Sequence, residues 1–190
     1  MRLFVGVTLA EHVRAAADGV VRKLRRRLDE RVRVSWVPLE KMHVTVRFIG
    51  QVSDEAGQQI VDALRPPIHV VAFELALDHC GVFPSHGSPH VLWIGLEEGF
   101  ASLQAIHDEL NARLRPLGLA PEDRPFTAHL TLARVKHAPR RSGAWVREAL
   151  QDIAVPPARC PIDQVTVFSS RLSPRGSTYT PVIHIPLSSG

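Results

Sequence analysis

Two short stretches, HVTVRF at residues 43–48 and HLTLAR at 129–134, alternate polar and apolar side chains with a period of two. That period belongs to a β-strand, where residues i and i+2 share a face. In the first stretch His43, Thr45 and Arg47 fall on one face and Val44, Val46 and Phe48 on the other. In the second, Thr127, His129, Thr131 and Ala133 oppose Ala128, Leu130 and Leu132. Each strand therefore offers an imidazole, a neighbouring hydroxyl and an apolar back. A fold that contains both must bury two apolar backs and leave two histidine faces with something to do.

The rest of the chain supplies the frame. Residues 2–9 read as a strand. From residue 11, Val13, Ala17, Val20, Leu24 and Leu28 form one helical stripe with arginines opposite. Residues 32–38 are a strand, and Ser53 caps a helix that runs to Leu64 and stops at Pro66 and Pro67. Residues 68–83 read as one strand, 91–96 as another, and 99–118 as a second long helix with Leu103, Ile106, Leu110 and Leu114 on one face. The spacing predicts a short helix at 142–151, then strands at 160–172 and 178–187 joined by a turn in SPRGS. Strands often follow strands directly, which favours α+β with antiparallel sheets over a doubly wound parallel sheet. No linker or low-complexity segment divides the 190 residues, so residues 1–190 are expected to be one domain.

Composition narrows the partner. The chain is 45% hydrophobic and 22% charged, an ordinary globular balance. Only three of its 23 basic residues are lysine (Lys23, Lys41, Lys136), and the formal net charge is +4. Arginine's planar fork suits phosphate, although arginine also serves as plain surface charge. Cys80 and Cys160 are too few for a disulfide scaffold, and the expected compartment is the cytoplasm. No apolar run reaches the roughly 20 residues of a membrane helix.

In-line displacement at a phosphodiester needs a base on the attacking oxygen and an acid on the leaving oxygen, on opposite sides of phosphorus. Histidine can take either role near neutral pH. Two histidines on opposing walls meet that demand. Threonine hydroxyls can donate to the non-bridging oxygens, and an arginine can balance their charge. No metal or cofactor is required.

These residues resemble the two signature motifs of the 2H phosphoesterases, in the RNA 2′,3′-cyclic phosphodiesterase (2′-5′ RNA ligase) branch. The resemblance extends through MRLFVGVTL, KMHVTVRFIG, GVFPSHGSPHVLWIGL, LGLAPEDRPFTAHLTLAR and FSSRLSPRGSTYTPVIHIPL. It implies a bilobal α+β fold: two antiparallel β-sheets in pseudo-twofold lobes forming a central cleft, with helices outside. It implies His43 and His129 as catalytic residues and Thr45 and Thr131 as phosphate binders. It implies hydrolysis of RNA or nucleoside 2′,3′-cyclic phosphate to the 2′-phosphate, with reversible ATP-independent 2′-5′ ligation in some members. The partner is then an RNA end or a nucleotide with a cyclic phosphate, met by a monomer away from membranes. Two rivals stay open: an esterase of small nucleotides (ADP-ribose cyclic phosphate or a 2′-5′ oligonucleotide), and an RNA-end binder without chemistry. The sequence departs from the family at Ala128, where proline is usual, and at His90, where arginine is common.

Other residues carry weaker signals. Arg47 lies on the histidine face by parity, whereas Arg134 lies on the opposite one and needs a bulge or a strand end to reach a cleft. A cross-strand ion pair is the competing reading for both. Tyr179, the only tyrosine, could stack on a base or cap the cleft. Ser169, Ser170, Arg171 and Arg175 lie in the same region. Phe83 and Trp36 are read as core residues, and His12 and His107 as surface or boundary ones. The group His79, Cys80, His86 and His90 fits no standard metal-ligand spacing.

Overall fold

The computed structural model describes residues 1–28, 32–122, 124–138, 142–173 and 176–188. Pro174 and Arg175 of the expected turn lie outside the described residues. The strands are β1 (Arg2–Thr8), β2 (Arg33–Trp36), β3 (His43–Gln51), β4 (Ile68–Val71), β5 (Phe73–Phe83), β6 (Val91–Leu96), β7 (His129–His137), β8 (Arg159–Ile162), β9 (Gln164–Ser173) and β10 (Gly176–Ser188). The helices are α1 (Glu11–Arg27), α2 (Asp54–Leu64), α3 (Phe100–Leu114) and α4 (Ser142–Gln151). A 3₁₀ turn, Leu39–Lys41, leads into β3, and another, Arg115–Leu117, follows α3. Among the described residues no helix is long and apolar enough to cross a membrane.

The α+β class holds, and among the described residues all but one of the strand pairings are antiparallel, the exception being β4 with β10. The two expected sheets are arms of one ten-stranded sheet, nine strands running in the order β4-β10-β9-β1-β3-β7-β6-β5-β8 and β2 pairing with β7 off that path. They merge because the motif strands β3 and β7 meet at a single register pair, Val44↔Leu130. One arm runs outward from β3 and the other from β7. Two expected strands are each split in two. Residues 68–83 break at Ala72, sending β4 to β10 and β5 to β6 and β8. The 160–172 stretch breaks at Asp163, so β8 joins one arm and β9 the other. Period-two alternation cannot reveal such a change of partner.

Helices cover the apolar faces, and they do so crosswise. Helix α1 follows β1 yet packs on the β7 arm, where His12 Nε2 donates to the Arg159 carbonyl at 2.8 Å and Arg27 sits 3.6 Å from Asp152 beyond α4. Helix α3 follows β6 yet packs on the β3 arm, where Arg113 donates to the Leu64 and Pro66 carbonyls. The stripe Val13, Ala17, Val20 and Leu24 is fully buried, as are Leu103, Ile106, Leu110 and Leu114. Ser53 caps α2 as expected, its Oγ accepting from Ala56 N at 3.1 Å. Such a cap is worth about 1 kcal/mol.

Candidate active site

The strand alternation that aligns His43 with Thr45 does not run on to Arg47. Against β1, Gly6 pairs with Thr45 and Val5 with Arg47, so Val46 is an extra residue, a β-bulge. On β7 the same thing happens against β6: Trp93 pairs with Thr131 and Leu92 with Ala133, leaving Leu132 over. A one-residue slip turns every later side chain to the other face. Arg47 therefore points to the back and is 4% exposed, while Phe48 turns to the front at 40% exposed. Arg47, expected beside His43, is not on the cleft wall. Arg134, which needed a bulge to reach the cleft, has one and lines it.

Each histidine is seated alike. His43 Nδ1 donates to the Lys41 carbonyl at 2.8 Å, and His129 Nδ1 to the Thr127 carbonyl at 2.7 Å. A carbonyl can only accept, so Nδ1 holds a proton in both rings and Nε2 is left to accept or release one. Aromatic rings fix the imidazoles from the side. Phe4 lies 4.9 Å from His43, and Tyr179 meets it edge-on at 5.1 Å. Phe83 meets His129 edge-on at 5.0 Å, with Trp93 at 6.3 Å. Gly6, opposite the first motif, leaves room: a Cβ there would stand 2.8 Å from the Val44 carbonyl oxygen.

Both imidazoles are held below the ordinary histidine pKa. For His43 the largest cause is burial, partly offset by the bond to Lys41, with the charges of His129 and Arg134 lowering it further. For His129 it is again burial, offset by the bond to Thr127, then the charge of Arg134. The two rings thus sense the same arginine, and His43 senses its partner as well.

Two adjoining cavities meet at this place. One, about 400 Å³, is lined by His43, Thr45, Thr131, Arg134 and Tyr179 with Arg2, Lys41 and Lys136. Its described lining carries four cationic side chains and no acidic one. The other, about 950 Å³, is lined by His129, Thr45, Arg134, Phe83, His90, Glu122, Arg124 and Phe126. Thr45 and Arg134 belong to both, so the histidines flank a shared partition. Arg171 is exposed and lines neither cavity, whereas Ser170 lines the smaller.

Several residues stand where sequence reasoning did not put them. Phe83 is on the cleft wall instead of in the core. His107 is 6% exposed, not a boundary residue. Phe4, Phe48, Arg2 and Lys136 line the cleft without having been singled out; Phe48 and Lys136 adjoin the motifs in sequence, whereas Arg2 and Phe4 are brought there by the pairing of β1 with β3. His90 lines the larger cavity, so the departure from arginine falls on a wall residue. Ala128 is buried and faces away. Among the described residues no group of three His, Cys, Asp or Glu could hold a metal ion. Burial pushes the Cys80 thiol up to about 12, the reverse of a ligand's need.

Comparison with known proteins places this geometry. The model of the 2′-5′ RNA ligase superfamily matches residues 11–173. An RNA 2′,3′-cyclic phosphodiesterase of Thermotoga maritima is 30% identical over 94% of this chain and 91% of its own. One of Methanothermobacter thermautotrophicus is 31% identical over 95% of both chains. Among solved structures, a Thermus thermophilus protein superposes with a TM-score of 0.77 at 26% identity, covering 100% of this chain and 99% of its own. E. coli LigT complexed with 3′-AMP superposes with a TM-score of 0.71 at 23% identity, covering 99% and 98%.

Proposed function

The chain belongs to the 2′-5′ RNA ligase superfamily, and from that premise we propose that it is an RNA 2′,3′-cyclic phosphodiesterase acting without metal. The observation that carries this reading is the pair of imidazoles, each with Nδ1 tied to a backbone carbonyl, flanking a partition made by Thr45 and Arg134. The cyclic phosphate sits at that partition. Neutral Nε2 of one histidine takes a proton from water as the water oxygen bonds to phosphorus. The P–O3′ bond breaks in line, and protonated Nε2 of the other histidine delivers its proton to O3′. The product is the 2′-phosphate. Thr45 and Thr131 hydroxyls donate to the non-bridging oxygens, and Arg134 balances their charge.

With a 5′-hydroxyl in place of water, the same displacement joins two ends through a 2′-5′ bond without ATP. The four cations of the smaller cavity suit a polyanionic RNA end, and they suit ADP-ribose cyclic phosphate or a 2′-5′ oligonucleotide as well, so turnover separates these substrates. We place the protein in the cytoplasm as a monomer.

The test is turnover of RNA ending in a 2′,3′-cyclic phosphate with chelator present, and assignment of the monoester formed. The expected product is the 2′-phosphate. Dependence on added metal, or exclusive release of the 3′-phosphate, overturns the reading. Parallel rates on a cyclic mononucleotide and a 2′-5′ dinucleotide rank the substrate classes. Column elution checks the monomer.

A further inference from the structure

The bulge at Val46 turns a buried arginine away from the cleft, and its contacts on the back of the sheet point to the other motif. Arg47 is 4% exposed. A guanidinium so placed is costly unless it is paired. Its Nη2 donates to the Ala120 carbonyl, its Nη1 to the Phe48 carbonyl at 3.0 Å, and Glu122 lies 3.6 Å from Nη1. Two of these three partners belong to the segment that precedes β7.

A second contact converges there. The Val46 carbonyl accepts from His107 Nδ1 at 2.8 Å. The His107 ring in turn stacks on Phe126, centroids 4.6 Å apart and planes 15° apart. So the bulged stretch of β3 reaches both the middle and the end of residues 119–127. The described residues of that segment carry neither helix nor strand. Side-chain clamps must therefore supply the order that a ladder would otherwise give. The segment ends at Thr127, whose carbonyl receives the His129 Nδ1 proton.

We infer that Arg47 is a positioning residue for His129. From the back of β3 it fixes the segment that orients the imidazole of the opposite motif. The dependence is one-way. His43 takes its acceptor from Lys41, in the 3₁₀ turn directly before its own strand. At the matching place on β7 stands Ala133, which has no group to clamp with.

The inference concerns geometry and holds whether or not the proposed reaction is right; its first test needs no substrate. Nitrogen NMR of the imidazoles reads the tautomer of each ring. The parent should show Nδ1–H at both His43 and His129. In Arg47→Ala, His129 should lose that preference while His43 keeps it, which makes His43 the internal control for folding. If Arg47→Ala does not fold, Arg47→Lys, which keeps the charge but not the fork, is read by the same criterion. On cyclic-phosphate RNA, kcat should fall roughly ten- to a hundredfold, more than KM rises, with partial rescue in Arg47→Lys. A folded variant with the His129 tautomer intact and kcat within about twofold of the parent overturns the assignment. Equal disturbance of both rings also overturns it, since that is general loosening. A parent without turnover sinks the proposed reaction and leaves the tautomer result standing.

Discussion

Strands β3 and β7 share the same order of buried and half-buried residues over their first seven positions, yet use two of those positions in opposite ways. Just past the bulge, β3 puts arginine behind the sheet and phenylalanine in front. β7 puts Ala133 behind and Arg134 in front. The histidine and threonine of each strand are duplicated, and the residues after the slip are specialised. One arginine has become a clamp and the other lines the cleft. Duplication of the backbone device did not require duplication of the charge it presents.

The largest test of this comparison is removal of each imidazole. His43→Ala and His129→Ala should each lower kcat on cyclic-phosphate RNA by about 10²–10⁴-fold. The double variant should be little worse than the worse single one, because acid and base act as a unit. Steady-state kinetics decides it; a single variant that keeps the parent rate breaks the equivalence of the strands.

Next come the hydroxyls. Thr45→Val and Thr131→Val should each cost roughly a hundred- to a thousandfold in kcat, by analogy with loss of one oxyanion donor. Thr45 borders both cavities and Thr131 only the smaller, so the loss should be greater at Thr45.

The exchanged positions give a smaller and more specific effect. Arg134→Ala should reduce kcat/KM about tenfold, while Phe48→Ala stays within about twofold. The pH profile adds a sign. Both histidines are held below 6.5, so each gives up its proton early and the alkaline limb of kcat/KM should fall below pH 6.5. Arg134 is one of the lowering charges on both rings. Its removal should move that limb to higher pH, and a shift to lower pH would contradict the shared influence.

The smallest effect is in stability. Gly6→Ala would press a Cβ to 2.8 Å from the Val44 carbonyl, backbone that cannot yield. It should cost about 1–3 kcal/mol in thermal unfolding. Gly95, beside the second motif, faces the His79 ring at 3.0 Å. That ring is largely exposed and can swing aside. Gly95→Ala should therefore cost less, and equal costs would show that the two seats are alike in rigidity.

Much of this was legible in the residues themselves. The helix stripes, the Ser53 cap and the shared face of each histidine with its threonine follow from local periodicity, and local periodicity survives folding. The bulges do not announce themselves, because Val46 and Leu132 are ordinary strand residues whose extra position exists only against a partner strand. Parity therefore misplaced Arg47. The aromatic seats of the histidines come from β1, β5, β6 and β10, far apart in sequence, and no window on the chain joins them. His107 looked like a boundary residue because a helix wheel does not record that a freed carbonyl lies opposite.

The crossing of α1 and α3 has a consequence for how this polypeptide could be divided. A nick near residue 98 would give an N-terminal fragment holding α1, the cover of the distant arm, and a C-terminal fragment holding α3, the cover of the near one. The N-terminal fragment alone would leave β3 and β4 without α3 and would keep α1 with β2, β5 and β6 but without β7 and β8. Mixed together they should reassemble as a split enzyme, each returning the roof the other lacks.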